Sequence, residues 1–255
     1  MEKYYYFLAC SLPNISISQK PDLTFEELKN MIYLNFQEDD LRCFELFLKF
    51  IDLNNFRLFW QNKEIDPRGS LSVSDLEDYT LSKYGIFDFV SDFLEMYETV
   101  EERLRNFTFL LVKFFDKVFQ EQKGFLHKYF KLEKLIRLNL TALRSKKIKK
   151  DIVNELKFED LSDEYVVYIL TKKDQDNFEP TKEFEEIKNI YLNNIDDPKK
   201  MNLELLKFKY DIMIDFFEEK PFTKDQIIAY AVLLYMMENY YKLDIEEGIK
   251  IAQNL

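Results

Sequence analysis

The sequence predicts an all-α protein, and three observations lead there. Apolar residues recur at helical spacing over most of the 255 positions, strict alternation over strand-sized windows is rare, and three residue pairs mark helix starts. The pairs are Thr24 with Glu27, Ser74 with Glu77, and Thr223 with Gln226. Each fits a capping box, in which a hydroxyl and a side chain three residues later satisfy orphan amides of the first turn.

The elements follow in order. Tyr4 to Leu12 lacks β-branched residues, but its three successive tyrosines predict a short extended N-terminal segment. From Asp40 onward Leu41, Phe44, Leu48 and Ile51 share one stripe that Phe47 and Phe50 widen, which predicts a deeply buried helix ending or bending near Asn54-Asn55. Gln61 to Ser70, with Asp66-Pro67-Arg68-Gly69, reads as a turn-rich connection. Leu76 to Gln122 reads as two long helices or one broken near Gly85, dense in Phe and therefore tightly packed. After Gly124 a long helical pattern runs from Phe125 to Leu156, aromatic at its start and basic at its end. Loops are predicted near 172–180 and 193–202. Helices then resume at Leu203 to Glu218, at Thr223 to Tyr241 after the break at Pro221, and at Asp244 to Asn254. The chain 1–255 reads as a single helical domain with loop breaks near 61–70, 172–180 and 193–202.

Composition narrows the chemistry. The four glycines, Gly69, Gly85, Gly124 and Gly248, are isolated from one another, so neither a Walker A loop nor a dinucleotide fingerprint can be written. One His and two distant Cys cannot supply the usual tetrahedral zinc set, which leaves only metal held by carboxylates. Cys10 and Cys43 read as two buried thiols of a reducing compartment. No cofactor is expected. A net charge of -11 disfavours nucleic acid, while 47% apolar and 16% aromatic residues place that charge on a folded surface. The longest uninterrupted apolar run, Ile227 to Met237, falls well short of the about 20 residues that span a bilayer. The N-terminus carries no small-residue cleavage site of the signal-peptide type, so a cytosolic chain is expected.

Few residues stand out as candidates. His127 has Gly124, not an acid, three positions before it, which removes the metal-binding Glu-x-x-His arrangement. The acidic series Asp88, Asp92, Glu95, Glu98, Glu101 and Glu102 alternates with Phe89, Phe93 and Tyr97 and reads as the solvated face of an amphipathic helix. Trp60 and Tyr240-Tyr241 read as packing or interface anchors. The one notable basic cluster is Arg144, Lys146, Lys147, Lys149 and Lys150. A solvated helix end that complements the helix dipole explains it; phosphate, an anionic membrane surface and an acidic partner protein are the partner-contact alternatives.

Three strings carry a resemblance. Tyr4-Tyr5-Tyr6-Phe7-Leu8-Ala9-Cys10-Ser11-Leu12-Pro13 with Leu23-Thr24-Phe25-Glu26-Glu27-Leu28, and Gln226-Ile227-Ile228-Ala229-Tyr230-Ala231 through Glu238 to Asp244 with Glu247-Gly248, resemble the two ends of a bacterial family encoded beside V-type ATPase subunits. Ile51-Asp52-Leu53-Asn54-Asn55-Phe56-Arg57-Leu58 is similar to an Asp- and Asn-bearing helix of the V-type ATPase C subunit, also called the d subunit. Asn239-Tyr240 stands where members usually carry Arg-Trp, and Cys10 where a small residue is commoner. The resemblance implies a multi-helix architecture like that of the C subunit and a non-catalytic role in a rotary ATPase. Its partners would be the central stalk and the membrane rotor ring, and its place the cytoplasmic face of the inner membrane, peripherally bound. The reading from a different class is a cytosolic helical adaptor unrelated to ion pumping.

Overall fold

The structure is a computed structural model that describes residues 3–17, 19–83 and 86–253. Among them every regular element is helical, and the fold is all-α. In chain order these are α1 (Tyr6–Ser11), α2 (Phe25–Asn35), α3 (Glu38–Trp60), α4 (Val73–Ser82), α5 (Asp88–Met96), α6 (Val100–Asn106), α7 (Thr108–Glu121), α8 (Phe125–Lys147), α9 (Ile152–Glu155), α10 (Glu164–Thr171), α11 (Glu185–Asn193), α12 (Pro198–Glu218) and α13 (Lys224–Gln253). Packing divides the chain into a central unit, 37–127, and a terminal unit built from the stretch up to Phe36 together with Lys128 onward.

The central unit is organised on α3. Phe44, Phe47, Leu48, Ile51 and Phe56 are fully buried, so the broad stripe in the sequence does become a helix enclosed over most of its circumference. A file of aromatic rings extends from it. Trp60 stacks on Phe93 at 5.9 Å between centroids, Phe93 on Phe109 at 5.9 Å, and the Arg103 guanidinium lies over the Trp60 ring. Such pairs add directional preference to plain burial. α3 does not end at Asn54-Asn55; it continues to Trp60. Both amides are satisfied without breaking the helix. Asn54 donates back to the Phe50 carbonyl, and Asn55 reaches out to the following loop.

Between 73 and 121 the described residues form four helices rather than one or two. One extra break falls at Phe107, between α6 and α7, and another is made by Thr99, whose hydroxyl accepts from the Glu102 amide at 3.2 Å while the Glu102 carboxylate accepts from the Thr99 amide. That is a capping box within the acidic series. α4 is capped by Ser72 with Asp75, not by Ser74 with Glu77. The predicted break at Gly85 lies outside the described residues.

The terminal unit is organised on the hairpin of α12 and α13. Ile227 to Leu234 are at most 1% exposed, because α1, α2 and α12 all pack on α13. This accounts for the long apolar run; no helix of the described residues is long and apolar enough to cross a membrane. α2 starts with the predicted Thr24–Glu27 box and fastens to α13 where the Phe25 amide donates to Glu238 Oε1 at 2.7 Å. At the start of α13 the predicted Thr223–Gln226 box is not formed. Gln226 accepts from the Phe222 amide and the Thr223 hydroxyl donates to the Lys220 carbonyl, because Phe222 takes a left-handed φ of 65° that redirects both groups. α13 continues through Asp244 without a second start, in a single helix from Lys224 to Gln253.

Three further expectations change. Tyr4 to Leu12 is not extended but coils into α1, with only Tyr4 bridging to Thr223 and the Tyr5 amide donating to the Phe222 carbonyl. With one bridge to pair with, the tyrosines' strand preference has no sheet to satisfy it. Cys10 on that helix is exposed, while Cys43 is buried, and both are free thiols. The loop predicted at 193–202 shrinks to the few residues before Pro198. Asp197 accepts from the Lys200 amide, and Pro198 occupies the first turn of α12, where its missing N–H is harmless. The loops at 61–70 and 172–180 are where the sequence places them.

Candidate partner-contact surface

The basic cluster lies at the C-terminal end of α8 and in the turn after it. α8 stops at Lys147 rather than running to Leu156. Lys149 takes a left-handed φ of 54°, its amide donates to the Lys146 carbonyl at 3.3 Å, and the Lys150 amide donates to the Ser145 carbonyl at 2.9 Å. This is the Schellman pattern, with lysine in the position that glycine usually fills. The left-handed geometry costs a side-chain-bearing residue about 1 kcal/mol. Lys149→Gly is therefore expected to raise the stability by about 1 kcal/mol, read as an upward shift of about 2–4 °C in the thermal midpoint. An unchanged or lowered midpoint would show that the turn holds no such strain.

The five cations divide by what they touch. Lys146 donates to the carbonyls of Lys173 and Gln175, so it fastens the 172–176 loop to the helix end and is a structural residue. Lys150 pairs with Glu155 at 3.5 Å. Arg144, Lys147 and Lys149 are exposed. Beside them the structure places two aliphatic side chains in solvent, Ile148 at 52% and Val153 at 46% exposure. Neither is among the residues that the sequence singles out. The one signal for them is Ile148 itself, an apolar residue set among four lysines.

The remaining candidates resolve into structural roles. His127 Nδ1 lies 3.1 Å from the Gln122 carbonyl and its ring packs 5.1 Å from Phe119. Asp88, Asp92, Glu95, Glu98 and Glu101 do not converge on a common point, and among the described residues no cluster of three His, Cys, Asp or Glu could hold a metal ion. Trp60 is a core anchor, and Tyr241 donates to the Ile17 carbonyl at 3.1 Å. An open cleft between α11 and α12 is lined by Glu185, Glu186, Asn189, Asn193, Lys200 and Glu204, and its carboxylates likewise do not gather as ligands.

The residues of the third resemblance string form a buried polar node within the central unit. Asp52, fully buried, accepts from the amides of Ser70 at 2.8 Å and Leu71 at 3.1 Å through Oδ1. Asn55, also fully buried, clasps the backbone of Asp66 with two hydrogen bonds, its Nδ2 donating to the carbonyl at 2.9 Å and its Oδ1 accepting from the amide at 2.8 Å. Asp66 in turn holds the Arg68 guanidinium at 2.6 Å. The loop 66–71 is thereby bound to α3 by groups with no solvent to compete for them.

Comparison with known proteins gives three similar chains, each bearing only the name of an uncharacterized protein. The chain is 31% identical over 240 residues to one from Chlamydia muridarum, covering 91% of this chain and 90% of the relative. It is 28% identical over 238 residues to one from Chlamydia trachomatis, covering 91% and 89%. It is 27% identical over 262 residues to one from Chlamydia pneumoniae, covering 98% and 97%. No solved structure matches the chain. A family model described as "Protein of unknown function (DUF2764)" matches residues 1–255, and the chain belongs to that family.

Proposed function

We propose that this protein is a non-catalytic component of a bacterial V-type ATPase, placed like the C subunit between the central stalk and the membrane rotor ring. The observation that carries the reading concerns where the resembling strings sit. The N-terminal string forms α1 and the start of α2, the C-terminal string lies within α13, and the two are joined by the Phe25–Glu238 hydrogen bond. The third string forms the Asp52–Asn55 node. The resemblance thus includes residues that fasten α2 to α13 in one unit and α3 to its following loop in the other. A coupling body transmits torque through rigid helices and two binding faces, and it needs no chemistry of its own.

Charge gives the proposal a measurable consequence. A net charge of -11 suits a partner whose cytoplasmic loops are rich in Lys and Arg, as those of a membrane ring are expected to be. Association between exposed charges weakens as salt shortens the Debye length. The test is affinity purification of the tagged protein from its native membrane fraction. Stalk and ring components are expected to co-purify and to be released by rising salt. Recovery of the protein alone, or with unrelated cytosolic partners as a helical adaptor would give, would end the ATPase reading.

A further inference from the structure

We propose that the tip formed by the end of α8, the turn at Lys149 and the start of α9 binds the surface of an anionic lipid bilayer. In a chain of net charge -11, residues 144–150 carry five cations and no carboxylate. Lys146 and Lys150 are occupied within the fold, which leaves Arg144, Lys147 and Lys149 exposed, with no carboxylate or carbonyl holding them among the described residues. The Lys146 clasp also brings the 172–176 loop to the same helix end, where exposed Lys173 is followed by exposed Asp174 and Asp176, so the cationic face is the one made by residues 144–150.

Simple solvation of a helix end accounts for the cations but not for what lies among them. Ile148 is half exposed between Lys147 and Lys149, and Val153 is nearly as exposed in the first turn of α9. An exposed aliphatic side chain flanked by cations, as Ile148 is, matches the two demands of a bilayer interface. The cations meet headgroup phosphates and the apolar group enters the acyl boundary.

Composition separates this from the other anionic partners. Protein interfaces are enriched in aromatic residues and arginine and depleted in lysine, whereas this tip is lysine-rich with no aromatic between Arg144 and Phe158. Nucleic acid is disfavoured by the same lack of stacking rings and by the overall negative charge. That negative charge also has a positive role: an anionic bilayer repels the rest of the chain, so the tip sets the orientation of contact.

The test is sedimentation of the isolated full chain with vesicles of phosphatidylcholine alone and of phosphatidylcholine containing phosphatidylglycerol. Binding is expected only to the anionic vesicles and is expected to weaken with salt. Each exposed cation near such a surface strengthens binding roughly fivefold, so the triple variant Arg144→Gln, Lys147→Gln, Lys149→Asn should bind roughly 100-fold more weakly. Asn tolerates the left-handed geometry, and a thermal midpoint no lower than that of wild type confirms that the variant is folded. Ile148→Ser should weaken binding severalfold without changing the salt dependence. Failure of the wild-type chain to sediment with anionic vesicles, or equal sedimentation of the triple variant, overturns the proposal. Loss of co-purifying proteins by the triple variant with vesicle binding intact also overturns it and assigns the tip to an acidic protein. The vesicle result uses the isolated chain, so it stands whichever ATPase components co-purify.

Discussion

Replacing Gly69 by Ala is expected to cost the central unit about 2–4 kcal/mol, a loss larger than a single added methyl usually causes. No backbone strain is involved; the constraint is close approach. A Cβ built on Gly69 would lie 2.2 Å from Asp52 Oδ1 and 2.9 Å from Asn55 Nδ2. Neither neighbour can yield cheaply. Asp52 Oδ1 already accepts from two backbone amides, and Asn55 holds both backbone groups of Asp66. Displacing the carboxylate strands those amides away from water, and hydrogen bonds to a charged group contribute about 1.5–3 kcal/mol each. Asp52→Ala removes the same interactions by the other route. The double variant is therefore expected to cost less than the sum of the two single changes, as neighbours sharing one network do. The lone tryptophan makes the measurement local, because Trp60 is 4% exposed and stacked on Phe93 within the same unit. Its fluorescence during denaturant unfolding reports the central unit directly. A Gly69→Ala midpoint that matches wild type would remove the node from the account of stability.

The node also shows what the sequence carried and what it did not. The helix periodicity of Leu41, Phe44, Leu48 and Ile51 and the turn residues around Pro67 were legible because both are local. The meaning of Asp52, Asn55 and Gly69 was not, since it depends on a loop folding back onto a helix more than ten residues earlier. The sequence marks Ser74 with Glu77 as the cap of α4, whereas the box that forms is Ser72 with Asp75, next to the fully buried Leu76. The tyrosines at positions 4 to 6 were misleading for a related reason, because strand preference counts only when a partner strand exists. At the basic cluster the cations themselves were plain in the sequence. Their division was not, because Lys146 is occupied by carbonyls contributed from the 172–176 loop, nearly thirty residues away.

The second large effect is expected at the polar seam between α8 and residues 159–165 in the terminal unit. Arg137 pairs with Glu159 at 2.5 Å, and the Glu159 side chain is 1% exposed. One turn earlier on α8 Lys134 pairs with Asp163 at 2.7 Å, and beyond them the Tyr165 hydroxyl donates to Asn139 Oδ1 at 2.7 Å. Glu159→Ala leaves a largely buried guanidinium without its carboxylate and is expected to destabilise the unit by about 3–5 kcal/mol. Substituting both partners by apolar residues, Arg137→Met with Glu159→Leu, should recover most of that loss, since the desolvation of two charges is then avoided. Equal damage from the single and the double change would show that shape rather than charge matters at this site. Asp163 adds a pH dependence of known sign. Burial by itself would raise its carboxyl, but the hydrogen bond and charge of Lys134, with the Val166 and Tyr165 amides, outweigh that and hold it below the ordinary value. A carboxyl lowered on folding stabilises the folded state above its unfolded pKa of about 3.9, and that contribution is lost as the pH falls through the folded value. Asp163→Asn keeps an acceptor for the α10 cap but has no charge to titrate. The gap in thermal midpoint between wild type and this variant should therefore be constant above about pH 5 and close as the solution is acidified below about pH 4. A gap that persists into that acidic range would show that the Lys134–Asp163 pair contributes nothing through charge.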